Sequence, residues 1–330
     1  MSSESLIFMG SDSIALPVLD SIREGRCGRV SIDAIYTQPD RPKGRGKKIA
    51  ANEIKLWARE HGVPVFQPHK MGKDERLEIQ AIGPKAILVM AYGHILSQKL
   101  IDVPEKGIWN LHTSLLPKYR GASPIQSAIV SGESKTGVSL MKVVRRMDAG
   151  PILDIEKVRI EEQDTSVELE KKLSSICPIL VERNLERIMS GNVSTEEQKE
   201  DDATYTRKLL KNDGELDFRR PAVELARRIN GLFPWPAAKF EYRGVSIKIG
   251  LASSHDEGTD EGSPGEIVGL SEQGLELRCG QGTLCLKRLQ RPGGKMIATA
   301  EFVRGFQLPI GEKLVSKPMS LLVASEPHAF

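Results

Sequence analysis

The sequence predicts an α/β protein, a doubly wound, mostly parallel Rossmann-like sheet, followed by a small C-terminal β-barrel of OB-like type. Three observations carry this reading. In the first half, short continuous apolar runs alternate with stretches of helical period, the pattern of strands buried on both faces by crossover helices. Beyond residue 206, short β-type runs succeed one another between Gly-rich turns. Between the halves, residues 190–206 are polar, acidic and nearly free of bulky apolar side chains.

The elements follow in order. Leu6 to Gly10 is an apolar run ending in Gly, and Ile14, Val18, Leu19 and Ile22 recur at helical spacing, giving strand, turn and amphipathic helix. Ser31–Thr37 is a second strand and Ile54–Glu60 a second helix. Pro64-Val65-Phe66, Ala86–Met90 and Ile108–His112 continue the sheet; Gly137–Leu140 and Ile152–Ile160 follow, and 166–189 is helical in period. These strands separated by helical patterns imply parallel pairing. After the polar stretch, Val223–Ile229 reads as a helix. Lys239–Tyr242, Ser246–Ile249, Gly265–Val268, Leu275–Leu277 and Leu284–Leu286 read as the barrel strands. The expected organisation is a domain over 1–189, a linker over 190–206, a second domain over 207–317 and a tail, 318–330, without a pattern.

Composition narrows the function classes. A chain of 330 residues with 39% hydrophobic and 28% charged residues is typical of a soluble globular protein. The N-terminus lacks a basic region before a long apolar stretch, and the most apolar run, Ala86 to Leu96, is too short to span a bilayer, so a cytoplasmic location is expected. The four cysteines, Cys27, Cys177, Cys279 and Cys285, form no CxxC pair and the six histidines no HExxH, so no metal is expected. The opening turn, Gly10-Ser11-Asp12-Ser13-Ile14, supplies one glycine where a dinucleotide site needs three, and Asp12 would repel a phosphate; it reads as a turn capped by Asp or Ser.

The chemistry concentrates on one strand. Asn110 and His112, two apart, project to the same face at the carboxyl end of a parallel strand, where open α/β sheets bind ligands. An amide donor beside an imidazole suits a reaction that builds negative charge on a carbonyl oxygen, and the imidazole can also move a proton. The same pair could equally be buried polar groups satisfied by backbone. Asp148, in Met147-Asp148-Ala149-Gly150-Pro151, could fix that imidazole or be an ordinary turn residue. Arg41 to Lys48 holds five cations, two glycines and no acid, a composition that can track phosphates or simply form a solvated loop. Lys287, Arg288, Arg291 and Lys295 make a second cationic patch on the expected barrel. Trp235 is expected in the core rather than as a stacking platform.

The run Asn110-x-His112-x-Ser114-Leu115-Leu116-Pro117-x-Tyr119-Arg120-Gly121 with Pro124, followed by Met147-Asp148-x-Gly150-Pro151, resembles the 10-formyltetrahydrofolate-dependent formyltransferases. Resemblance extends from about Leu6 to Leu314. It implies a catalytic trio of Asn110, His112 and Asp148. It also implies a site for the formyl donor, 10-formyltetrahydrofolate, lined by Met90, Ala91, Tyr92, Gly93, Ser114, Leu115, Leu116 and Pro117. The segment Thr37–Lys48 is similar to the basic loop of family members that act on an initiator tRNA, and 231–238 to the start of their C-terminal domain. That similarity implies tRNA contacts at Arg41, Lys43, Arg45, Lys47 and Lys48, with Lys287, Arg288, Arg291 and Lys295 as the second patch. The implied acceptor is the α-amino group of methionine on initiator tRNA, and a monomer is expected. Other readings stay open: a family member acting on a small molecule, a formyltetrahydrofolate hydrolase, or a non-catalytic RNA-binding relative. The first turn departs mildly from the family at Met9 and Ser11.

Overall fold

The computed structural model describes residues 3–43, 46, 48–255 and 262–327, with the side chain of Lys43 excluded. Its chain divides into two units that interleave along the sequence: Met1–Arg120, Gly137–Val158 and Lys171–Ala203 form the first, and Gly121–Thr136, Arg159–Glu170 and Thr204–Phe330 the second.

The first unit is built on a seven-stranded sheet. In spatial order its strands are Ile152–Arg159, Lys135–Lys142, Ile108–His112, Ala86–Met90, Glu4–Gly10, Val30–Tyr36 and Val65–Phe66. Pairing is parallel from Val65–Phe66 across to Ile108–His112. It turns antiparallel where Ile108–His112 meets Lys135–Lys142. The central strands are apolar on both faces because both are covered: Leu6, Ile7, Phe8 and Met9 are fully buried, as are Ala34, Ile35 and Tyr36. The opening turn is capped as its residue types predict, with the Asp12 carboxylate accepting from the Ile14 N–H at 3.1 Å. A helix the sequence did not announce, Lys73–Ile82, ends at Gly83 in the left-handed conformation. Two short strands, Arg41–Lys43 and Lys48–Ala50, pair as an antiparallel hairpin.

Residues 190–203, read from sequence as part of a linker, carry regular structure. Glu196 bridges to Ile152 through reciprocal backbone bonds of 2.8 Å. Within 191–200 only Val193 and Gln198 are partly covered; the others are exposed.

The second unit carries an antiparallel sheet in the order Lys239–Tyr242, Val245–His255, Thr283–Gln290, Gly274–Arg278 and Ile267–Ser271, with Ile297–Ala298 pairing onto Thr283–Gln290. Helix Ala222–Leu232 lies on this sheet and contributes Leu225 and Ile229 to a core with Ile247, Ile249, Leu275, Leu277, Leu284 and Leu286. Asn230, buried in that interface, exchanges two 2.9 Å bonds with the backbone of Ala252. Helix Pro124–Val130 packs on the same helix, where Gly231 leaves room for Val130 and Ile129.

Residues 320–324 are tied down. Val323–Ala324 pairs antiparallel with Tyr205–Thr206, the Arg207 guanidinium donates to the Leu321 carbonyl, and buried Arg228 donates to the Ser320 carbonyl. Trp235 corrects an expectation, since it is 56% exposed and not part of the core. Its neighbours Pro236, Ala237 and Ala238 take the interior positions at the entry to the sheet, and the indole is left outside. No helix among the described residues is long and apolar enough to cross a membrane.

Candidate active site

Strand Ile108–His112 pairs with Ala86–Met90 on one side, Val89 opposite Asn110, and with Lys135–Lys142 on the other, Asn110 opposite Met141 and His112 opposite Ser139. The parallel register brings the end of Ala86–Met90, and the turn after it, beside the end that bears His112. Asn110 is half-buried and His112 buried. Among the described residues nothing hydrogen-bonds the Asn110 side chain, so its amide can serve a ligand.

His112 is held at both nitrogens. Nε2 lies 2.9 Å from the Tyr119 carbonyl. A carbonyl only accepts, so Nε2 carries the hydrogen. Nδ1 faces Asp148 Oδ2 at 3.7 Å, an ion-pair distance too long for a hydrogen bond. Both partners sit on unusual backbone: Tyr119 has φ +62° and Asp148 φ +51°, the left-handed region that non-glycine residues rarely occupy. The turn bearing Asp148 is also fixed by Gly150, where a Cβ would stand 1.8 Å from the Lys142 carbonyl oxygen; the glycine of the Asp-x-Gly-Pro run is there for close approach.

The loop after the strand is wired internally. Ser114 is fully buried, and its hydroxyl donates to the Lys118 carbonyl at 2.7 Å. Ser139 donates to the Ser114 carbonyl and accepts from the Leu116 N–H. Of the residues expected to line a folate pocket, Ser114 and Leu116 are therefore buried, while Leu115 and Pro117 are half-exposed. On the neighbouring turn Met90 and Tyr92 are buried, the Tyr92 hydroxyl 3.1 Å from Met71 Sδ, and its pKa is pushed upward by burial. Ala91 and Gly93 are exposed, with φ of +50° and +79°.

Gln38 links this turn to the basic hairpin. Its Nε2 donates to the Tyr92 carbonyl at 3.0 Å, its Oε1 accepts from Arg41 at 2.7 Å, and its backbone N–H donates to Ser11 Oγ. Below it Asp40 binds Lys55 Nζ at 2.7 Å and Gln67 Nε2 at 2.9 Å, and these hydrogen bonds hold its carboxyl below the usual range. The hairpin thus rises from a fixed base. Arg41 and Lys48 are exposed; Arg45, Lys47 and the Lys43 side chain lie outside what is described.

In the second unit Arg288, Arg291 and Lys295 are exposed and Lys287 half-buried. Lys287 is the extra residue of a bulge, because Arg288 pairs with Leu251 and Leu286 with Ala252. Arg291 stands 6.0 Å above the Phe306 ring.

Sequence reasoning missed two functional candidates, Gln38 and Gln198. Gln38 lies inside the segment Thr37–Lys48 but, unlike its cationic neighbours, carries no charge. Gln198 donates through Nε2 to the carbonyls of Asp148 and Gly150, at 2.9 and 2.7 Å, and accepts at Oε1 from Arg120. It sits in a stretch whose composition resembled a linker, and no local signal distinguished it.

Comparison with known proteins adds a lineage. A family model described as formyl transferase matches residues 4–183, and one described as formyl transferase, C-terminal domain, matches residues 208–307. A methionyl-tRNA formyltransferase of Pseudomonas fluorescens strain Pf-5 is 39% identical over 293 residues, covering 88% of this chain and 90% of its own. One from strain SBW25 is 42% identical over 265 residues, covering 80% and 83%. Among solved structures, an N-formyltransferase from Helicobacter canadensis, in complex with folinic acid and dTDP-3-aminofucose, matches with a TM-score of 0.65 over 88% of this chain and 100% of its own. At 18% identity it speaks for the fold alone.

Proposed function

This chain belongs to the formyl transferase family, and from that premise we propose that it transfers the formyl group of 10-formyltetrahydrofolate to the α-amino group of methionyl initiator tRNA. The product is the formylmethionyl-tRNA used to initiate translation. One observation carries the reaction type: an uncommitted Asn110 amide beside an imidazole gripped on both sides, at the carboxyl end of a strand. The names of the relatives at 39% and 42% identity support the acceptor.

The neutral amine attacks the formyl carbon, and negative charge grows on the formyl oxygen. The Asn110 amide donates to that oxygen. Because Nε2 of His112 is committed to Tyr119, the Nδ1 side of the ring meets the substrate, with Asp148 facing the same nitrogen and fixing the ring. As the tetrahedral carbon collapses, its bond to the folate nitrogen breaks. The proton lost by the attacking amine passes, by way of His112 and water, to that nitrogen. The turn 90–93 and loop 114–117 fit a folate, since exposed backbone at Ala91 and Gly93 beside apolar side chains suits a flat heteroaromatic ring with an amide-like edge. Arg41, Lys43, Arg45, Lys47 and Lys48 take the tRNA backbone, with Lys287, Arg288, Arg291 and Lys295 as a second contact.

The test supplies labelled 10-formyltetrahydrofolate together with, in turn, charged initiator tRNA, charged elongator methionine tRNA and glycinamide ribonucleotide. Label on the initiator tRNA is the expected result. Label only on the small molecule, or only in released formate, would overturn the reading.

A further inference from the structure

We infer that Gln198 is a positioning residue for the reaction, joining the two groups that hold His112; the inference rests on the proposed formyl transfer. Its amide nitrogen donates to the carbonyls of Asp148 and Gly150 at 2.9 and 2.7 Å, pinning the turn on which Asp148 adopts φ +51°. Its amide oxygen accepts from Arg120 Nε and Nη2 at 3.1 and 2.9 Å. Arg120 is fully buried and directly follows Tyr119, whose carbonyl fixes His112 Nε2 at 2.9 Å. The remaining Arg120 nitrogen, Nη1, binds both carboxylate oxygens of Glu200 at 3.1 Å, and Glu200 also pairs with Arg146.

One glutamine amide therefore reads both sides of the imidazole. Through its donor it sets the backbone under Asp148, and through its acceptor the backbone under Tyr119. Asp148 Oδ2 stands 3.7 Å from Nδ1, where a shift of a few tenths of an ångström decides between an ion pair and a hydrogen bond. A clamp on the turn beneath is a direct way to set that gap.

The donor and acceptor halves can be separated. Gln198→Met keeps length and bulk and removes both. Gln198→Glu keeps an acceptor for Arg120 but puts a carboxylate oxygen against two carbonyls. If Gln198 only satisfied the buried guanidinium, Glu would rescue what Met loses. Positioning predicts that both variants lower kcat about 10- to 100-fold, while KM for each substrate stays within about twofold. It also predicts that the pH midpoint of kcat moves and that the ring 15N signals of His112 change in the free protein. A Glu variant with wild-type kcat and wild-type His112 signals would overturn the inference. Should Glu not fold, Gln198→Asn, which retracts the donor by one methylene, replaces it under the same criterion. The ring signals need no substrate, so they test Gln198 even if labelled formyl goes to another acceptor.

Discussion

The end of strand Ile108–His112 and the cationic patch at 287–295 work in opposite ways. Around His112 each contact is specific: one carbonyl, one carboxylate, and a buried loop whose hydroxyls are already spent on its own backbone. At 287–295 the long side chains stand mostly in solvent; Arg288 reaches the Met296 carbonyl only at 3.4 Å. The first region depends on where an atom is, the second on how much charge is nearby. Single substitutions should therefore be costly in one and almost silent in the other.

The largest effect is expected at Asn110. Asn110→Ala should lower kcat about 100- to 1,000-fold, with kcat/KM falling equally and melting temperature unchanged, as single-turnover transfer and a thermal scan would report. A loss confined to KM would move Asn110 from chemistry to binding and blur the contrast.

Next comes a buried charge in the second unit itself. Asp213 is fully buried. Burial alone would raise its pKa, but the Arg207 guanidinium and the Leu210 N–H hold it below the usual carboxylate range. Its contribution is thus present above the unfolded value, about 3.9, and lost as pH falls through the lower folded value. Asp213→Asn should cost about 3–5 kcal/mol at pH 7 and flatten the acid limb of stability, measured by urea unfolding from pH 7 to pH 3. If the acid limb stays as steep, another carboxyl dominates it.

Neutralising Lys287, Arg288, Arg291 and Lys295 together should raise KM for tRNA with kcat nearly constant. The slope of log affinity against log salt should shrink by about 0.7–0.9 for each phosphate that is no longer neutralised. Arg288→Gln alone should be barely measurable. A tenfold effect from that single change would show that this region, too, works by exact placement. The smallest effect concerns the thiols. Burial pushes Cys177 and Cys279 up to about 12, so an alkylating reagent at neutral pH should leave these two cysteines of the folded protein unmodified, as intact mass and peptide mapping would show.

Much of this was legible in the residues. Apolar runs gave the central strands to within a residue or two, since a strand covered on both faces must be apolar along its length. Asn110 and His112 were readable because a two-residue spacing fixes a shared face. What escaped depends on partners far away in the chain. Gln198 is an unremarkable polar residue until its carbonyl partners fold beneath it, and Val323–Ala324 is too short to signal a strand before Tyr205–Thr206 lies alongside. Trp235 misled for a related reason: size argued for burial, but the small residues after it fill the available space.

Tyr119 and Asp148 both hold left-handed backbone without being glycine. At Asp148 glycine would relieve that strain, by at most about 1 kcal/mol, whereas at buried Tyr119 losing the ring would cost more than the relief. Laboratory evolution that selects for heat resistance alone would therefore drift toward glycine at Asp148. The resulting proteins would survive higher temperatures with a looser grip on His112. A screen that scores turnover alongside melting would keep the aspartate, and with it the rigidity the fold has already built in.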